Sequence, residues 1–85
     1  DPSAIEDMVR HVISLSPQVK EVEDIKVGSS DDVISLDITV NVTTGKLNFR
    51  ELGKREQKRV ASAVRFFTGL DIGKVDIRIA EVFFQ

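Results

Sequence analysis

Residues 34–43 read ISLDITVNVT, and this stretch decides the fold. Five apolar residues alternate in it with polar ones: Ile34, Leu36, Ile38, Val40 and Val42. Successive side chains of a β-strand point to opposite faces of the sheet, so this strand has one face for a core and one face for water. The flanking sequence therefore has to supply partner strands and a layer that covers the apolar face.

A second strand precedes this one. From Val22 onward the hydrophobic period is two, with Ile25 and Val27 on one side. Residues 28–32 read GSSDD, which are turn-forming residue types. We predict a β-hairpin.

A short amphipathic helix is predicted at the start of the chain. Ser3 and Glu6 have the spacing of a capping box, in which the hydroxyl and the carboxylate bind free amides of the first turn. Apolar residues then recur at spacings of three and four on one face: Ile5, Met8, Val9, Val12 and Ile13. Ser16 and Pro17 end this helix.

A longer helix is predicted after the hairpin. Gly45 ends the strand, Asn48 and Glu51 form a second capping signal, and Leu47 and Leu52 are spaced for a hydrophobic staple. The expected buried stripe comprises Leu52, Val60, Ala63, Val64 and Phe67. The helix should end at Thr68 and Gly69, because glycine suits the left-handed position after a helix.

A third strand closes the chain, with Val75, Ile77 and Ile79 alternating with polar residues. The order helix, strand, strand, helix, strand predicts an α+β two-layer sandwich with two helices on one face of a three-stranded sheet. The connection from the second to the third strand should be a right-handed crossover. We expect the third strand to lie antiparallel beside the first.

The composition is that of one globular domain over residues 1–85. The chain is 41% hydrophobic and 31% charged, it has no cysteine, and no apolar run approaches the ~20 residues that span a bilayer. No disulfide, thiolate nucleophile or cysteine-based metal site can form. The start at Asp1 without methionine suggests a domain excised from a longer chain.

The stretch from Asn48 to Val82 resembles the alkaline shock protein family of Gram-positive bacteria. The resemblance is carried by Asn48, Leu52, Gln57, Val60, Ala63, Val64, Thr68, Gly69, Leu70, Val75, Ile77 and Ile79. It implies a cytoplasmic, non-enzymatic, self-associating scaffold of the envelope stress response. The family's membrane-anchor proteins carry a similar domain after their transmembrane helices. The start without methionine favours such an excised copy over a free-standing family member.

The charge is unevenly distributed. Residues 1–45 carry three basic and nine acidic side chains, whereas residues 46–65 carry seven and two. The basic set is Lys46, Arg50, Lys54, Arg55, Lys58, Arg59 and Arg65, of which Lys54, Lys58 and Arg65 can share a helical face. This face could bind an acidic patch on another copy, an anionic membrane surface or RNA phosphates, or it could simply be a solvated face.

A small KH-like RNA-binding module is the alternative to a protein-interaction domain. Its Gly-x-x-Gly loop should join two adjacent helices. Gly69 and Gly73 have that spacing but lie between a helix and a strand. Tyr and Trp are absent, and Phe66, Phe67, Phe83 and Phe84 occur in patterns that predict core positions, so base stacking is poorly supplied.

Catalysis and metal binding have little support in the sequence. His11 is the only histidine and is expected to be exposed. Asp31 and Asp32 are interpreted as turn formers and not as metal ligands. The serines occupy caps and turns, and Glu21, Glu23 and Asp24 are interpreted as a surface cluster, so we predict no catalytic, cofactor or metal site.

Phe83 and Phe84 are adjacent in a strand, so their side chains point to opposite faces. Both cannot enter one core. With Val82 they form a candidate self-association patch, unless this end packs against sequence outside the chain. The sequence therefore predicts a non-catalytic scaffold that binds protein copies.

Overall fold

The computed structural model describes residues 2–43 and 48–84. Its elements are α1 Pro2–Ser14, β1 Val19–Ser30, β2 Val33–Thr43, α2 Phe49–Thr68 and β3 Asp71–Phe83. The predicted order and the α+β class are confirmed. Gly45, Lys46 and Leu47, which entered the predictions above, lie outside the described residues.

The central strand of the sheet is β2. It pairs antiparallel with β1 and parallel with β3, in the order β1-β2-β3. The prediction that the last strand lies beside the first was therefore wrong. The strand with the most complete apolar face takes the centre: Ile34, Leu36, Ile38, Val40 and Val42 are each at most 1% exposed, whereas β3 has only half-buried apolar residues.

A two-residue turn joins β1 to β2, which confirms the hairpin. Ser30 pairs with Val33, and Asp31 and Asp32 have φ angles of 51° and 63°. Two positive φ values in succession define the type I′ turn, whose twist matches that of the paired strands. Gly28 and Ser29 lie within β1 instead of in the turn.

Both helices cover the same face of the sheet, as predicted. The core contains Val9 and Ile13 from α1 and Leu52, Val60 and Val64 from α2, packed with the apolar face of β2. The first helix begins at Pro2, so Ser3 lies inside it and not at the cap position. Proline is well suited to the first helical position, where its missing N–H costs no hydrogen bond.

The ends of α2 match their sequence signals. The side-chain oxygen of Asn48 accepts a hydrogen bond from the Glu51 N–H at 2.8 Å. Gly69 has φ 71°, and its N–H donates to the Arg65 carbonyl at 2.9 Å. The left-handed glycine ends the helix as predicted.

The last turn of α2 differs from the prediction. The buried stripe is Leu52, Glu56, Val60 and Val64, at a constant spacing of four. Phe67 falls off this stripe and is 70% exposed, and Phe66 is 83% exposed. The prediction that these phenylalanines are core residues was wrong, because the sheet and α1 cover only the side of α2 that the stripe faces.

Candidate interaction surfaces

The face of the sheet opposite the helices has no covering layer among the described residues, and we call it the open face. Register places its side chains in rows across the strands β1, β2 and β3, with four central rows between Val33 at one end and the pair Thr43 and Phe83 at the other. Named by their β2 residue, these four rows are the Ser35 row (Gly28, Ser35, Lys74), the Asp37 row (Lys26, Asp37, Asp76), the Thr39 row (Asp24, Thr39, Arg78) and the Asn41 row (Glu21, Asn41, Glu81).

The charges of the open face alternate in sign along β3, whereas β1 presents two carboxylates followed by Lys26. Asp24, Lys26, Asp76 and Arg78 are exposed and line part of a groove of about 470 Å³, which extends to Gln57 of α2. Lys74 Nζ lies 3.2 Å from Asp76 Oδ2, which confirms that these two side chains share a face. The open face is therefore a polar surface that presents both signs of charge within a few ångströms.

Two arginines of the predicted basic surface form hydrogen bonds and ion pairs with other residues of the same chain. Arg59 Nη1 donates to Glu56 Oε1 at 2.9 Å, and Arg55 Nε donates to Glu56 Oε2 at 3.2 Å. Arg55 Nη2 also reaches the Ser16 hydroxyl at 3.3 Å, and Arg59 Nη2 reaches the Val12 carbonyl at 3.4 Å. These arginines hold α2 to the end of α1, which leaves them less available to a partner.

Glu56 is the residue that sequence reasoning missed. It is 1% exposed and lies at the middle of the buried stripe of α2. A signal was present: Glu56 is four residues after Leu52 and four before Val60, so the period places it on the buried face. A charge at such a position needs partners, and two neighbouring arginines supply them.

The rest of the predicted basic set lies at the surface. Arg50, Lys54 and Lys58 are exposed and follow each other at spacings of four along α2. Arg65 is also exposed and lies 3.9 Å from Asp71, an exposed pair that adds little stability. The free basic surface is therefore smaller than the sequence count suggested.

An apolar groove lies between the first two turns of α1 and the last turn of α2. It has a volume of about 360 Å³ and is lined by Ala4, Ile5, Met8, Phe67 and Thr68. Phe66 packs against Phe67 edge to face, with ring centroids 5.2 Å apart and an interplanar angle of 87°. These two rings form the most prominent exposed apolar feature of the helical layer.

The two terminal phenylalanines have different surroundings. Phe83 is half-buried, and Lys20 Nζ lies 3.8 Å from the centroid of its ring. Phe84 is 86% exposed. The expectation that only one of them can be covered is consistent with this arrangement, and their role in self-association stays a prediction.

The other polar candidates lie at the surface of the domain. His11, Glu21, Glu23 and Asp24 are exposed, as expected. Within residues 2–43 and 48–84 no group of three or more His, Cys, Asp or Glu side chains is placed to hold a metal ion. Neither described helix combines the length and hydropathy needed to cross a lipid bilayer.

The fold is similar to that of several solved C-terminal domains (CTDs). The copper form of the MamM CTD matches with a TM-score of 0.74 and 15% identity, over 93% of this chain and 84% of that one. A manganese form of a MamM CTD variant matches with a TM-score of 0.63 and 16% identity, over 93% and 96%.

The magnetosome protein MamB of Desulfamplus magnetovallimortis BW-1 has a similar CTD. It matches with a TM-score of 0.69 and 18% identity, over 92% of this chain and 93% of that one. No protein-family model and no curated protein matches the sequence. At these identities the likeness concerns the fold.

The resemblance to the alkaline shock family was wrong. The structural neighbours are MamM and MamB CTDs, and no alkaline shock family model matches. The residues that suggested it are explained by general rules: Asn48 caps a helix, Gly69 ends it, and Val75, Ile77 and Ile79 alternate in a strand. An envelope stress role and a KH-like RNA-binding role are therefore not supported.

Proposed function

We propose that this chain is a non-catalytic protein-interaction domain that associates with copies of itself. We further propose that its parent is a cation-transport protein of the cation diffusion facilitator class, in which it forms a C-terminal regulatory domain. Such a parent would anchor the domain at a membrane and hold it on the cytoplasmic side.

The likeness to the MamM and MamB CTDs carries this proposal. It extends over 92% to 93% of the chain, so the whole domain and not a local motif is similar. Two of the MamM structures are described as copper and manganese forms, which favours a parent that handles cations. The proposal gives no described side chain a role in catalysis.

The open face supports self-association. A three-stranded sheet with helices on one side presents its other side to whatever adjoins it. Here that side carries charges of both signs at fixed positions. Such a surface can recognise a protein partner that has complementary charges. The exposed Phe66 and Phe67 offer a second surface for contact with the rest of the parent protein. The exposed basic residues of α2 stay a candidate for contact with an acidic patch or an anionic membrane surface.

Sedimentation equilibrium of the 85-residue chain tests the proposal. Loading concentrations from about 1 µM to about 500 µM cover the affinity range of a weak interface of ordinary size. We expect a monomer–dimer equilibrium. A chain that stays monomeric throughout this range would contradict self-association.

The parent class is tested separately in a membrane transporter that carries this domain. We expect its removal to lower cation transport into proteoliposomes without abolishing it, because the domain regulates and does not form the transport path. Unchanged transport would contradict the regulatory role. The matched control is the same transporter with this domain kept and one loop between two of its other helices shortened.

A further inference from the structure

We propose that two copies of this chain associate by stacking their open faces with the strands antiparallel, so that Lys26 of each copy faces Asp24 of the other. This inference rests on the proposed self-association and names the surface and its geometry. It is carried by the order of charges in the four central rows of the open face.

Two twofold arrangements can stack a pair of identical sheets face to face. In the first, the axis runs along β2, so the strands of the two copies point the same way and β1 lies over β3 of the other copy. Each row then lies over the same row. In the second, the axis crosses the strands, so the strands are antiparallel and each strand lies over its own counterpart.

The first arrangement opposes like charges. It places Asp37 of one copy on Asp37 of the other, and Glu21 on Glu81 in the Asn41 row. Only the outer pairs Lys26 with Asp76 and Asp24 with Arg78 are favourable. Juxtaposed carboxylates disfavour an interface, so this stacking is partly repulsive.

The second arrangement opposes no two like charges in these rows, and it leaves only Asp37 and Glu21 without an opposite charge. With the axis between Asp37 and Thr39, the Asp37 row lies over the Thr39 row and the Ser35 row lies over the Asn41 row. The charged pairs are then Lys26 with Asp24, Arg78 with Asp76 and Lys74 with Glu81. Symmetry forms each pair twice, and Asp37 faces Thr39 instead of another carboxylate.

The dimensions of the open face suit this stacking. Sheets that pack face to face lie about 10 Å apart with their strands nearly aligned. The side chains of Lys26, Lys74 and Arg78 are long enough to cross such a gap toward a shorter carboxylate on the other sheet. The part of the groove that borders Asp24, Lys26, Asp76 and Arg78 is the space that these side chains would fill.

A twofold axis that crosses the strands is compatible with membrane anchoring. A twofold axis that relates two parents anchored in one membrane runs perpendicular to the membrane plane. Because the axis crosses the strands, the strands of both copies then lie parallel to the membrane plane, and both copies turn the same sheet edge toward it. Both chains then enter from the same side. The inference therefore does not conflict with the proposed parent class.

Charge reversal with mixing tests the pairing. Lys26→Glu alone and Asp24→Lys alone should each weaken the dimer at least about tenfold, because each reversal makes two attractive contacts repulsive. An equimolar mixture of the two variants should recover a dissociation constant within about threefold of the wild type, because the heterodimer restores both pairs. Sedimentation velocity measures the dimer fraction, and thermal melting confirms that each variant is folded.

Asp7→Lys is the matched control for Asp24→Lys, since Asp7 is exposed on α1 and carries the same charge as Asp24. It should leave the dimer unchanged. Recovery on mixing Lys26→Glu with Asp76→Lys, and not with Asp24→Lys, would overturn the antiparallel geometry in favour of the first arrangement.

Two other outcomes separate this inference from the proposed function. If the wild-type chain dimerises but Lys26→Glu has no effect, the open face is not the interface and the inference fails while self-association stands. If the wild-type chain is monomeric at every concentration, the proposed self-association fails as well.

Discussion

Arg59 holds the carboxylate of Glu56 on the inner side of α2, with Nη1 2.9 Å from one oxygen and 3.1 Å from the other. Glu56 is 1% exposed, whereas the Arg59 side chain is 36% exposed. The arginine therefore connects a buried charge to solvent. Its other nitrogen donates to the Val12 carbonyl, so the same residue joins α2 to the last turn of α1.

Removing Arg59 should be costly. Arg59→Ala leaves the buried Glu56 carboxylate with Arg55 alone, and we expect the free energy of unfolding to fall by about 2 to 3 kcal/mol. Urea denaturation measures the change. Lys54→Ala, an exposed change on the same helix, should stay within about 0.5 kcal/mol of the wild type.

A double-mutant cycle separates the ion pair from the loss of the arginine itself. Glu56→Ala combined with Arg59→Ala should cost less than the sum of the two single changes, with a coupling of about 1 kcal/mol or more. Additive effects would show that Arg59 stabilises the fold only through its packing and its contact with Val12.

Phe67 should tolerate truncation. Since its side chain is 70% exposed, we expect Phe67→Ala to change the free energy of unfolding by no more than about 1 kcal/mol. Leu36→Ala, at a position 1% exposed, should cost about 2 to 5 kcal/mol. Urea denaturation of both variants checks the contrast, and a cost for Phe67→Ala equal to that of Leu36→Ala would contradict the exposed position.

The hairpin turn can be improved. Asp31 and Asp32 both adopt positive φ, which Asn and Gly adopt more readily than Asp. The double change Asp31→Asn and Asp32→Gly should raise the free energy of unfolding by about 0.5 to 1 kcal/mol. Differential scanning calorimetry would detect the rise in melting temperature. A lower melting temperature would mean that the aspartate side chains stabilise the turn by more than the strain costs.

Two glycines should respond to alanine in opposite directions. A Cβ at Gly53 would meet nothing within 4 Å, so Gly53→Ala should stabilise α2 by about 0.5 to 1 kcal/mol. A Cβ at Gly73 would lie 2.6 Å from the Val33 side chain, so Gly73→Ala should destabilise the start of β3. Chemical denaturation compares them, and a stabilising Gly73→Ala would show that Val33 moves aside at no cost.

Self-association should depend on salt and not on a chelator. Raising sodium chloride from about 0.05 M to about 0.5 M shortens the Debye length from roughly 14 Å to roughly 4 Å and should weaken an interface of exposed charge pairs. EDTA should leave the dimer fraction unchanged, because the proposed pairing needs no metal ion. A dimer that EDTA dissociates would instead indicate carboxylates of two copies bridged by a cation. Sedimentation velocity serves for both titrations.

Local signals predicted the elements well. The capping role of Asn48 and the helix end at Gly69 depend on neighbours within four residues, so they can be read before the fold is known. The alternation in β2 likewise assigns each side chain to a face. The same local rules produced the mistaken family resemblance, since a cap, a glycine end and an alternating strand occur in unrelated folds.

The candidate site was harder to predict because its arrangement depends on distant parts of the chain. The sequence count treated Arg55 and Arg59 as free basic residues, although Glu56, Ser16 and Val12 bind them. The open face was overlooked because its charges are close neighbours only once β1, β2 and β3 are in register.

The amino-acid sequence by itself determined the two helices, the three strands and the apolar face of each, because periodicity and caps act over a few residues. Only the tertiary structure decided that β3 lies beside β2, that Phe67 is left outside the core and that Lys26 and Asp24 stand in adjacent rows of one uncovered face. The physical reason is that strand pairing and burial depend on which surfaces meet across the whole domain, and several pairings bury the same alternating pattern equally well.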